Sequence, residues 1–161
     1  MSQFLRAGIR PDRWFAYPEI EWLDPGEIQA DALIDLRTQG NTLSVFEFDG
    51  TVNPERISIA VASGKQKPDD TGYAMFNRAA VEALGIEVKK DPGATADATV
   101  NGLHCNLNVK TATRLVALAQ VVAQGTIALI LRKRVEELVR TGIESGQLES
   151  SKVNRDLRKK L

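Results

Sequence analysis

The stretch from Leu43 to Asp49 constrains the fold most. Leu43, Val45, Glu47 and Asp49 alternate with Ser44, Phe46 and Phe48. A period of two in a run rich in β-branched and aromatic residues is the signature of a strand. Around this strand, over 42–49, most segments read as helices. The expectation is an α+β fold: one helix-dominated domain over 1–161 with a small sheet built on the 42–49 strand.

The helix signals come in chain order. Asp24-Pro25-Gly26-Glu27 reads as a start, with Asp24 as N-cap and Pro25 in the first position. Ile28, Leu33, Ile34 and Leu36 supply an imperfect apolar face ending near Arg37, and Thr38-Gln39-Gly40-Asn41 is turn chemistry. Asn53-Pro54-Glu55 reads as cap and acidic first turn of a helix ending at Gly64, although 56–62 also passes for a strand. From Thr71, the spacing of Met75, Ala79, Val81 and Leu84 predicts a second helix that stops at Gly85, before a short strand Ile86-Glu87-Val88.

Residues 90–101, with Pro92, Gly93 and small side chains, read as a flexible loop. Leu115, Leu118, Ala119 and Val122 fall at i, i+3, i+4 and i+7, a helix closed by Gly125. The apolar run 126–131 fits a strand or a first helical turn equally. Val135, Leu138, Val139 and Gly142 place a helix from about Arg132 to Ser145, and Ser151–Leu161 reads as a last basic helix within a C-terminal extension over 147–161.

Composition narrows the function classes. Forty-three per cent apolar and 26% charged residues suit a folded globular protein rather than a disordered tail. No apolar run approaches the roughly 20 residues of a membrane-spanning helix, and MSQFLRAGIRPDR lacks the apolar core of a secretory signal. Cys105, the one cysteine, has no internal disulfide partner. The expectation is a cytoplasmic protein with no membrane contact. Lys plus Arg and Asp plus Glu both total 21, which argues against a globally basic nucleic-acid binder. The balance hides a polarity, however. Residues 1–50 hold four basic groups against nine acidic, and residues 101–161 hold eleven basic against five acidic. Such asymmetry marks interaction surfaces.

Two short patterns carry candidate chemistry. Ser44–Val52 resembles the first motif of haloacid-dehalogenase-type phosphatases, a strand ending in Asp-x-Asp-Gly-Thr. The resemblance implies a phosphoryl-accepting nucleophile where this chain has Glu47, one methylene longer, and a general acid at Asp49. Pro68-Asp69 followed by Glu87-Val88-Lys89 looks like the Pro-Asp…Glu-x-Lys pattern of metal-dependent nucleases. That resemblance implies a Mg²⁺ held by Asp69 and Glu87, with Lys89 steadying the attacking water or leaving phosphate. A single histidine, His104, rules out a histidine-rich metal site, and Cys105 reads as a structural thiol. Gly-rich phosphate loops are absent from the sequence.

The binding candidates lie at the two ends. Trp14, Tyr17 and Trp22 are interleaved with Glu19 and Glu21, aromatic anchors with an acidic rim that suit a protein partner. Arg132, Lys133 and Arg134, and then Arg155, Arg158 and Lys159 on one helical face, form a basic region suited to phosphates or to an acidic protein. The favoured reading is a non-catalytic protein-binding module, an accessory, inhibitory or antitoxin-like partner that needs no cofactor. The second is a nucleic-acid-associated protein, in its sharpest form a Mg²⁺-dependent nuclease. A third is self-association, acidic head to basic tail.

Overall fold

A computed structural model describes residues 2–14, 23–24 and 26–161. Six strands, β1 (Gln3–Ile9), β2 (Thr42–Phe48), β3 (Thr71–Asn77), β4 (Glu87–Lys90), β5 (His104–Asn108) and β6 (Thr126–Ile130), form one sheet in the order β4-β5-β2-β1-β3-β6. Every neighbouring pair is antiparallel. Six α-helices lie between and after the strands among the described residues: α1 (Pro54–Ala62), α2 (Arg78–Ala83), α3 (Ala98–Asn101), α4 (Ala112–Ala123), α5 (Arg132–Glu144) and α6 (Arg155–Lys159). The α+β class holds, but the sheet is not small.

The sheet is covered on both faces. On one, Phe4, Val45, Phe76 and Leu107 pack with Leu118 and Val122 of α4 and with Leu36. On the other, Leu5, Ala7 and Phe46 pack with Ile57 and Ala60 of α1 and Val100 of α3. A third cluster joins Ile59 and Ala62 of α1 to Val135 and Val139 of α5 and to Leu148, Val153 and Leu157. Residues 147–161 therefore contribute three side chains to the core rather than trailing from it.

Several local expectations hold. Asn53 caps α1 by accepting from the Glu55 amide, so 56–62 is helical, while 126–130 is a strand. Gly40 and Asn41, both at positive φ, make the two-residue turn closed by reciprocal hydrogen bonds between Gln39 and Thr42.

Others are corrected. Thr71–Asn77 is a strand, not the start of a helix: alternate residues Gly72, Ala74 and Phe76 point inward. The helix begins only at Arg78, where the Asn77 side chain accepts from the Ala80 amide. The expected helix from Asp24 is a 3₁₀ segment, Ala30–Leu36, which begins after Gln29, and Asp24 does not cap it. The 90–101 segment contains α3, capped by Asp97, and its turn is tied by Asn101 to Gly93 and Thr95. Strands β1 and β5 fall where no strand was expected.

β1, near the sheet centre, bends at its end. Its pairing with β3 slips between Ala7 and Ile9, with Gly8 at φ 78° supplying the bulge. At this bend β3 comes so close that a Cβ on Gly72 would lie 2.7 Å from the carbonyl oxygens of both Ile9 and Ala128. Gly72→Ala is expected to destabilise the fold by about 1–3 kcal/mol through overpacking. Gly64→Ala, where the nearest atom is 3.5 Å away, should stay within about 0.5 kcal/mol of the parent. Urea unfolding midpoints of the two variants check both.

Candidate functional site

Strands β1 and β2 pair only from Gln3–Leu5 to Phe46–Phe48. Beyond Leu5 a side chain replaces the ladder. Arg6 donates from Nε to the Asp35 carbonyl (3.1 Å) and from Nη1 to the Ser44 carbonyl (2.8 Å). Burial lowers the Arg6 guanidinium from its ordinary pKa, and the nearby Asp35 charge partly opposes that shift. Among the described residues no carboxylate forms an ion pair with it.

Asp35 is the second fixed charge. It is buried at the end of the 3₁₀ segment Ala30–Leu36. Its carboxylate accepts from the Arg10 amide (2.9 Å), Arg13 Nη1 (2.7 Å) and Trp14 Nε1 (2.8 Å). A buried carboxylate with a cation and two further donors is fully satisfied.

Two clefts open beside Arg6. The larger, about 1030 Å³, lies at the end of the sheet and mixes Arg10, Arg13, Lys65 and Lys67 with Asp12, Asp35, Asp69 and Asp70. Exposed Ile34 and Leu129 also line it. The smaller, about 440 Å³, lies between the sheet and the 92–95 turn.

The nuclease constellation does not assemble. Asp69 precedes β3 and Glu87 opens β4, and the strand order puts β5, β2 and β1 between them. Four strand spacings of about 4.8 Å separate them by roughly 19 Å, far beyond the reach of one metal. Lys89 is exposed on the outermost strand. No group of three or more metal-ligating side chains occurs among the described residues.

The Glu47 position is also occupied. Its carboxylate accepts from Arg78 Nη1 (3.2 Å) and Lys90 Nζ (2.8 Å), and the Lys90 bond chiefly holds its pKa below the usual carboxylate range. Two cations make it a tie between β2, β4 and α2 rather than a nucleophile. Asp49, exposed, accepts from the amide and hydroxyl of Thr51.

Of the N-terminal candidates, Trp14 is buried beneath its bond to Asp35 and is not an exposed anchor. Tyr17, Glu19, Glu21 and Trp22 lie outside the described residues. The basic candidates are all exposed. Arg132 pairs with Glu136, Arg134 with Glu55 and Glu137, and Lys159 with Asp156. Lys133 and Arg155 have no ion pair among the described residues. Arg10, Arg13, Lys65 and Lys67 were missed, since they come together only through the fold. Arg6 was missed because it sits in an otherwise apolar run, and a lone charge there was the available signal.

Comparison with known families, curated proteins and solved structures finds no match to this chain.

Two outcomes follow from these geometries. Asp35→Ala leaves the Arg13 guanidinium and the Trp14 indole without their acceptor, and urea unfolding should show a loss of about 3–5 kcal/mol. Cys105 is buried, and desolvation first, then the Glu47 charge, raises its thiol from 9.0 to about 11. The raised folded-state value favours the neutral thiol in the native protein. Its contribution is therefore complete below pH 9 and lost between about pH 9 and 11. The alkaline decline in unfolding free energy over that window should be shallower in Cys105→Ala than in the parent.

Proposed function

We propose that the chain is a non-catalytic protein-binding module that receives an extended segment of its partner along β6. The observation that carries this reading is the contrast between the two sheet edges. β4 presents Glu87, Lys89 and Lys90, the charged edge by which sheets repel further strands. β6, Thr126-Ile127-Ala128-Leu129-Ile130, carries no charge at all. No strand among the described residues pairs with its outer side, so alternate residues turn unpaired backbone groups outward. Leu129 and Leu131 beside it are 51% and 59% exposed.

Main-chain pairing gives such an edge affinity, and side-chain pockets give it specificity. Leu129 and Leu131 call for apolar residues on the incoming segment. Lys133, at the start of α5 and without an ion pair among the described residues, calls for an acidic one. The charge polarity of the sequence is consistent with this. Among the described residues no ion pair joins 1–50 to 101–161.

A photo-cross-linking residue at position 131, compared with one at position 89, tests the reading in cells that carry the chain. The expected result is an adduct at 131 alone, mapped to an extended apolar-acidic segment of one protein. Leu129→Lys, which puts a charge on the edge, should reduce that adduct at least about tenfold. Equal adducts at both positions, adducts only to a second copy of the chain, or indifference to Leu129→Lys would sink it.

A further inference from the structure

Independently of the β6 reading, we propose that the 440 Å³ cavity beside Arg6 is a binding site for a small organic carboxylate with an apolar body. The argument starts from charge. Half-buried Arg6 and Arg13 flank the buried Asp35, and the one ion pair among the three is Arg13–Asp35, so the group carries one net positive charge. Cations drawn partly out of water are ordinarily paired with an anion. Here both described hydrogen bonds from the guanidinium end on neutral carbonyl oxygens. Nε–H and one Nη1–H are consumed. One Nη1–H and both Nη2–H groups remain, and the end-on fork they make matches a carboxylate with two parallel hydrogen bonds.

Arg6 lines both clefts, and their linings decide which one takes the anion. The larger cleft mixes four further cations with four carboxylates, so an incoming carboxylate with an apolar body would meet like charge beside opposite charge there. The smaller has no carboxylate: apart from Arg6 its walls include Ala7, Phe46, Val61, Pro92 and Ala94. Its size falls within the range of roughly 300–1,000 Å³ typical of small-molecule sites. One guanidinium balances one negative charge, which suits a monocarboxylate better than a phosphate dianion. The apolar walls suit an aromatic or branched aliphatic body, with Phe46 and the His104 ring, edge-on to it at 5.4 Å, as an angled aromatic corner. The wall opposite the sheet is preformed. Gly93 N–H donates to the Asn101 carbonyl, and the Asn101 side chain is bonded three times to Thr95.

Titration of the ¹⁵N-labelled full chain with benzoate and with 3-methylbutanoate tests the site, with benzamide and inorganic phosphate as comparators. The expected result is saturable shifts confined to the amides of Ala7, Gly93, Ala94 and Thr95. Carboxylates should bind at least about tenfold more tightly than benzamide, a gap of about 1.4 kcal/mol, and phosphate should give no shifts there. Arg6→Met should erase the preference for the carboxylate. Because Arg6 also bridges two strands, Ala94→Trp provides a second variant, filling the cavity from an exposed turn position while leaving the guanidinium in place. It should abolish binding in a chain with an unchanged circular dichroism spectrum. No saturable shift with either carboxylate at millimolar concentration, equal binding of benzoate and benzamide, shifts mapping to Arg10, Arg13 and Lys65 instead, or full binding by Ala94→Trp would overturn the proposal.

Discussion

The buried carboxylate of Asp35 fixes how the chain leaves the sheet. β1 runs near the middle of six strands, where an unpaired end would strand backbone groups in the core. Asp35 meets that end with two acceptor oxygens, taking the Arg10 amide, the Arg13 guanidinium and the Trp14 indole together. Its own carbonyl takes Arg6. A change of direction after Ile9, the docking of the 3₁₀ segment Ala30–Leu36, and the burial of Trp14 all rest on one side chain. Substituting an apolar group there would take the shared acceptor from all three donors, with the buried Trp14 indole hit hardest.

Polar ties at the periphery follow the same logic. Asp97 is 1% exposed, yet it accepts two bonds from Arg56 at 2.7 and 3.0 Å and two from the amides of Thr99 and Val100. That single residue starts α3 and fastens it to α1, and its hydrogen bond raises the Arg56 guanidinium above its ordinary value. Glu47 does likewise for β2, β4 and α2. No buried side-chain nitrogen or oxygen among the described residues lacks a partner, so Asp35 and Asp97 are structural charges.

How much of this was readable in advance depended on which period a segment obeys and on what interrupts it. The helices α4 and α5 were legible because Leu118, Ala119, Val122, Val135 and Val139 keep their helical spacing over three turns or more. β3 was misread because the apolar residues Met75, Ala79, Val81 and Leu84 straddle the strand–helix junction at Asn77, so a helical period emerges from two elements. The informative residue was Asn77 itself, a good cap just where the period of two ends. β1 was hidden because Arg6 and Gly8 break the alternation of Phe4-Leu5-Arg6-Ala7-Gly8-Ile9, and both breaks are functional parts of the strand: one crosses the split, the other makes the bulge. β5 did alternate, Cys105 and Leu107 inward between His104, Asn106 and Asn108, but a five-residue polar-looking run carries too little apolar weight to stand out. Long-range placement was out of reach altogether. The separation of Asp69 from Glu87 depends on strand order, which no local pattern encodes.

The sheet edges join the fold to the charge distribution. An antiparallel sheet of this order has two outer strands, and here they differ in charge. β4 carries charges that are tied inward or laterally, Lys90 to Glu47 and Lys110 to Glu87, so its protection is built from the same ion pairs that hold the sheet together. β6 is followed at once by Arg132-Lys133-Arg134, two of whose members are committed to carboxylates on α1 and α5. The helix thus consumes most of the positive charge that the sequence concentrates there, leaving Lys133. A net-neutral chain with uncompensated ends is therefore less polar on its surface than its sequence suggests. On the β6 side the described residues set an uncharged edge beside Lys133, whose ammonium has no ion pair among them.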